Sequence, residues 1–279
     1  MQNDQISERI VTALSPLPGV AAIVLGGSRG RGTATDASDH DFGLYYEPDA
    51  PIDVPALRAA VTPLLDDPGK TTITPIGEWG PRINGGAWLA LAGRKVDLLY
   101  RDLGRVRAVI EDCKAGRITM DYQPGHPHGF CSAIYAGEAA TCRPLHDPAG
   151  IVTRLKTELV PFPRALRDAI IVKFKWEVQF STDNAALAAR RGEQTHVAGS
   201  AYRALCCLAQ VLFAVNGRWL INEKGALTEA AAFPVTVAGL DKSVADIWRA
   251  IGACDFAQAL TTLAALAEGL DSLVAGIGE

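Results

Sequence analysis

Short apolar runs separated by glycine- and proline-bearing turns fill the first half of the chain: VAAIVLGG (20–27), DFGLYY (41–46), TTITPI (71–76) and AWLALAGRKVDLLY (87–100). Runs of this length between turn residues predict strands. Helical spacing between them predicts helices over 4–14, 55–65 and 103–115. Gly93-Arg94 is a Gly-X pair suited to a tight hairpin turn, so the last run predicts two antiparallel strands. Near residue 150, after PLHDPAG and PFP, the period changes. Leu166, Ile170, Phe174 and Val178 recur every fourth residue; Tyr202, Leu205, Ala209, Leu212 and Val215 follow, with Asn216-Gly217 as a stop. Phe256, Leu260, Leu263, Ala267, Leu270 and Val274 form a last stripe. The pattern predicts an α/β domain with a mixed sheet over 1–150, then an all-α helical bundle over 151–279.

Composition narrows the class. At 279 residues and 48% hydrophobic, the chain is long enough to bury two cores. A formal net charge of −4 gives no basic surface for nucleic acid or an anionic membrane, so an anionic ligand has to be held locally. The N-terminus has neither a basic nor an apolar leader region. The apolar run AYRALCCLAQVLFAV is interrupted by Arg203 and Gln210 and is too short to span a bilayer. Six cysteines without C-x-x-C spacing read as reduced core thiols. The expectation is a cytoplasmic protein.

The chemistry concentrates in LGGSRGRGTATDASDHDFGLYY (25–46). A P-loop requires a lysine after its last glycine, where Thr33 stands; a dinucleotide fingerprint requires a glycine at Thr35. Both fail. What remains is an apolar strand, a Gly-Gly-Ser turn, ten residues, and Asp-x-Asp opening another apolar strand. Strand alternation sets Asp39 and Asp41 on one face, roughly 6 to 7 Å apart at Cα, with His40 on the other. Two such carboxylates repel by about 1 to 4 kcal/mol at contact, which a divalent cation relieves; oxygen donors favour Mg²⁺ or Mn²⁺. Backbone amides at Gly27 and Ser28 are placed to cradle phosphate. Asp97, set in an apolar strand, needs either a metal or a basic partner such as Arg94 or Arg101. His126 and His128 in GHPHG read as loop residues with no zinc-spaced companion, and Trp79, Trp88, Tyr122 and Phe130 as core or acceptor-pocket aromatics.

LGGS, ten residues, DHDFG and a later VDLLY resemble the signature of the DNA polymerase beta-type nucleotidyltransferase superfamily. IGEWG and VNGRWLINEKG resemble segments of the streptomycin/spectinomycin-type aminoglycoside adenylyltransferases. His40 departs from the apolar residue that many members carry between the two acids. The resemblance implies that two Mg²⁺ ions are held by Asp39, Asp41 and Asp97, with Asp97 lowering the acceptor's pKa through the second ion. It makes Glu78 the general base, and gives the triphosphate of ATP to Gly27, Ser28, Lys224 and Arg29 or Arg31. The implied reaction moves AMP to a hydroxyl of a small molecule, with an aminoglycoside-like antibiotic as leading acceptor; no nucleic acid or membrane takes part. Two alternatives share the signature: adenylylation of a protein partner, as in short antitoxin enzymes, and a non-catalytic nucleotide sensor, which has no use for Glu78.

Overall fold

In the computed structural model, which describes residues 2–277, the chain divides into two compact units. The first runs up to Asp112 and resumes over Thr119–Pro161; the second comprises Cys113–Ile118 and the chain from Phe162 onward.

The first unit contains α1 (Gln2–Leu14), β1 (Ala22–Leu25), α2 (Gly27–Arg31), β2 (His40–Tyr46), α3 (Val54–Val61), β3 (Thr72–Ile73), α4 (Gly80–Ile83), β4 (Gly86–Leu91), β5 (Arg94–Asp102), most of α5 (Leu103–Lys114), β6 (Met120–Gln123), β7 (His126–Cys131), α6 (Ala133–Thr141), β8 (Arg143–His146) and α7 (Ile151–Glu158). Six strands form one mixed sheet in the order β3-β4-β5-β2-β1-β8. All its pairings are antiparallel except β2 with β5, which run parallel with Asp41 beside Asp97.

One face of this sheet is the core. Phe42, Leu44, Val96, Leu98, Tyr100, Leu89 and Leu91 bury against Ile6, Ile10 and Leu14 of α1 and Leu57 and Val61 of α3. The four-residue spacing on α1 and the two-residue spacing on the strands build one apolar layer, each large side chain contributing about 1.5 to 3 kcal/mol of burial. His40 belongs to this layer: it is fully buried, its ring parallel to Phe42 at 6.5 Å. The intervening residues, Asp41, Gly43, Asp97, Leu99 and Trp88, are half-buried on the opposite face.

The β4–β5 hairpin forms as expected, with its turn one residue earlier. Ala92 and Gly93, both at positive φ (51° and 70°), are the central pair rather than Gly93-Arg94. The Asp66 carboxylate makes this possible by accepting both backbone N–H groups at 2.8 and 2.7 Å, holding alanine in the left-handed region. A second correction concerns GHPHG. His126 and His128 lie in β7, which pairs antiparallel with β6, and His128 is buried.

The second unit holds α8 (Arg164–Ala189), α9 (Gln194–Val215), α10 (Ala226–Ala231), α11 (Leu240–Gly252) and α12 (Phe256–Ile277). Leu166, Ile170, Phe174 and Val178 of α8 are all buried, as are Leu205, Ala209 and Leu212 of α9. Asn216 ends α9 with its amide bridging Leu212 O and Val235 O, and Gly217 follows at φ 62°. The helix around AYRALCCLAQVLFAV is longer than the sequence run suggests. At 22 residues it is long and apolar enough to cross a bilayer by length and composition, as is Phe256–Gly276; 72% of the α9 window is buried inside the protein. Five cysteines are buried free thiols and Cys254 is exposed.

Candidate active site

The site grows from the β1–α2 turn. All four residues of β1 are buried, and Leu25, paired with Phe42, delivers Gly26 to the edge of β2, where its N–H donates to Asp41 O at 2.7 Å. Gly27 then takes φ 56°, and a Cβ there would lie 1.9 Å from Asp41 Oδ2. The Asp41 carboxylate therefore rests directly against the backbone of the turn, and no other residue type fits. Ser28 is half-buried in α2 and Arg31 is exposed.

The exposed loop between α2 and β2 is fastened by arginines. Arg29 Nη2 donates to Ser38 O at 2.6 Å, and its Nε is shared by Ser38 O and Asp39 O at 3.2 and 3.0 Å. Arg94 Nη1 donates to Asp36 O at 2.6 Å. Arg29 thus fixes the backbone that presents Asp39, a role the sequence did not disclose.

The parallel register of β2 on β5 sets Asp41 against Asp97, and extended by one step it sets Asp39 against Lys95. Lys95 Nζ lies 3.3 Å from Asp39 Oδ2 and 3.1 Å from Asp97 Oδ2, bridging the two strands. The expected basic partners lie elsewhere, since Arg94 holds the loop and buried Arg101 pairs bidentately with Glu138 at 2.7 and 2.8 Å. Lys95 was missed, although its position two residues before Asp97 on a strand places both on one face. Burial, then the charges of Asp97 and Asp39, raise Asp41 above the ordinary carboxylate value, with Lys95 pulling the other way. Burial lowers Lys95, but its hydrogen bonds and charge contacts with Asp97 and Asp39 outweigh that and raise it.

Across the next strand pair Trp88 stands opposite Asp97, and the Trp79 ring stacks on Trp88 at 4.1 Å and 19°. Trp79, 48% exposed, sits at φ 74° with its carbonyl accepting from Gln123 Nε2 at 2.7 Å. Glu78 is exposed in the turn immediately before it. The sheet face therefore reads as a row: the carboxylate pair, Trp88, and the Trp79 ring that follows Glu78. Lys224 lies in the second unit, exposed, with its backbone N–H donating to Asn222 Oδ1 at 2.9 Å.

The donors of this face are carboxylate oxygens, the kind a hard divalent ion takes. Three carboxylates come from one end of two neighbouring strands, burial and then like charges raise Asp41, and a cationic group bridges Asp39 and Asp97. Among the described residues no set of three His, Cys, Asp or Glu side chains is arranged to hold a metal outright.

The nucleotidyltransferase domain family model matches residues 7–118, which include every residue of this face and exclude Lys224. A solved structure to which the chain is similar, a nucleotidyltransferase-like protein from Exiguobacterium sibiricum 255-15, aligns over 97% of this chain and 78% of its own at 13% identity and a TM-score of 0.41. No curated protein matches the chain.

Proposed function

We propose that the protein is a Mg²⁺-dependent nucleotidyltransferase that moves AMP from ATP to a hydroxyl of a small molecule, an aminoglycoside-like compound being the leading acceptor, and releases pyrophosphate. The observation that carries this reading is the parallel register of β2 on β5, which sets Asp41 beside Asp97, with Lys95 joining Asp39 to Asp97 and the Asp41 carboxylate seated against Gly27.

In this reading Asp39, Asp41 and Asp97 would hold the divalent ions. Bound there, Mg²⁺ neutralises phosphate charge and makes the acceptor hydroxyl more acidic. The chain's own groups supply the rest. Backbone N–H groups of Gly27 and Ser28 bind phosphate oxygens, with Arg31 adjoining; Arg29 acts by holding the Asp39 backbone. On the resemblance, Lys224 binds the triphosphate as a point charge. The stacked Trp79 and Trp88 rings offer the acceptor a flat apolar face beside Asp97. Glu78 takes the hydroxyl proton as that oxygen bonds to the α-phosphorus, and the bond to pyrophosphate breaks.

The test is pyrophosphate release with each nucleoside triphosphate and a panel of hydroxylated acceptors, aminoglycosides included. Acceptor-dependent release by the wild type, lost in Asp41→Asn with the circular dichroism spectrum retained, is expected. Undiminished release by Asp41→Asn would overturn the assignment of the acids.

A further inference from the structure

Asp39 and Lys95 stand opposite each other across the β2–β5 boundary, and Asp41 and Asp97 do so two residues further along it, so four ionisable side chains form a square on one face of the sheet, three acidic and one basic. The basic corner is engaged on two sides, Nζ lying 3.3 Å from Asp39 Oδ2 and 3.1 Å from Asp97 Oδ2. Those oxygens are donors of the kind a divalent ion would take. An ammonium and a divalent cation cannot share one pair of carboxylate oxygens, because their repulsion opposes double occupancy. The two partners differ in freedom. Asp97 is held in the sheet with its side chain 14% exposed, whereas the Lys95 side chain is 54% exposed on a flexible stem and can swing into water.

We infer that Lys95 is the chain's own occupant of the divalent-cation position, holding Asp39 and Asp97 together until a divalent ion displaces it. The identity of the incoming cation rests on the proposed nucleotidyl transfer; the bridge does not. Displacement has two consequences. The ion-free face is stabilised by an internal counter-charge, which limits repulsion among three acids on adjacent strands. Capture of free metal is weakened by the work of parting the ammonium from two carboxylates, so Lys95 sets a threshold for the ion. A guanidinium at 95 would preserve the competition, and a neutral amide would remove it.

The experiment measures Mn²⁺ affinity, from the electron paramagnetic resonance signal of free Mn²⁺, for the wild type, Lys95→Gln, Lys95→Arg and Asp41→Asn, with circular dichroism and melting of each variant in chelator. Lys95→Gln should bind Mn²⁺ about tenfold more tightly and melt lower without metal, while Lys95→Arg stays within about twofold of the wild type. A second measurement needs no variant. Acetylation of wild-type Lys95, followed by mass spectrometry against exposed Lys70 and Lys242, should accelerate when Mn²⁺ is added, as the ammonium leaves its carboxylates. Unchanged or weaker Mn²⁺ binding by Lys95→Gln together with constant Lys95 acetylation would overturn the inference while leaving the metal site standing, provided Asp41→Asn still abolishes binding. If Asp41→Asn binds Mn²⁺ as the wild type does, the metal assignment fails first and the displacement model falls with it.

Discussion

Gly27 and Glu78 show how differently single residues can matter. A methyl group at 27 would meet Asp41 Oδ2 at 1.9 Å and would also have to hold φ 56°. Gly27→Ala should therefore push the Asp41 carboxylate aside, lowering stability by about 1 to 3 kcal/mol and Mn²⁺ affinity with it. Urea unfolding and Mn²⁺ titration of the same variant check both effects; native values for both would show that the turn can relax around the added methyl. Glu78 is exposed, and its loss leaves no buried gap. Glu78→Gln should keep the melting temperature and nucleotide KM of the wild type while slowing transfer by about 10² to 10⁴-fold, the range for a general base. An unchanged rate would assign the proton to another acceptor.

Elements were legible in proportion to how local their signals are. The two-residue alternation of DFGLYY and KVDLLY, and the four-residue spacing on α8 and α9, depend on neighbours in the chain, and those elements lie where the pattern puts them. The β6–β7 hairpin escaped because His-Pro-His-Gly has the composition of a turn, and strand pairing there depends on the partner Met120–Gln123. Lys95 escaped for a related reason. A lysine near the solvent end of a strand carries no periodic signal, and only the parallel register between segments 56 residues apart brings it to Asp39. Within the helical unit, the α8–α9 packing carries a prediction of its own. Burial raises the half-buried Glu177 carboxyl, but hydrogen bonds from Arg203, with Nε at 2.9 Å, and from Lys173, 3.2 Å away, outweigh this and hold it below its ordinary 4.5. A depressed carboxylate stabilises the fold above that ordinary value, and the stabilisation is lost as pH falls through the folded-state value. Glu177→Gln should therefore cost about 1 to 3 kcal/mol near neutral pH, and that difference from wild type should shrink when urea unfolding is repeated at about pH 3. A difference independent of pH would mean that the side chain acts by packing rather than by charge.

Across the whole molecule, the acids, Lys95, Gly27, Arg29 and the tryptophan pair all come from the first unit, whereas Lys224 comes from the second. In the proposed function that distribution assigns two binding events to different units. In that reading divalent-ion capture depends on carboxylate oxygens of β2, β5 and the residue preceding β2, so it should not respond to a change at position 224. On the resemblance that gives Lys224 the triphosphate, nucleotide binding should respond, because one ammonium-to-phosphate contact contributes on the order of a factor of ten in affinity. Lys224→Ala should accordingly raise the nucleotide KM about tenfold and leave Mn²⁺ affinity in the absence of nucleotide unchanged. Lys224→Arg, which keeps the charge, should restore most of the loss. Because Lys224 is exposed and its backbone N–H donates to Asn222 whatever the side chain, neither substitution should alter the melting temperature. A normal nucleotide KM in Lys224→Ala would confine triphosphate recognition to the first unit. The phosphate contacts would then fall to the Gly27–Ser28 amides and Arg31.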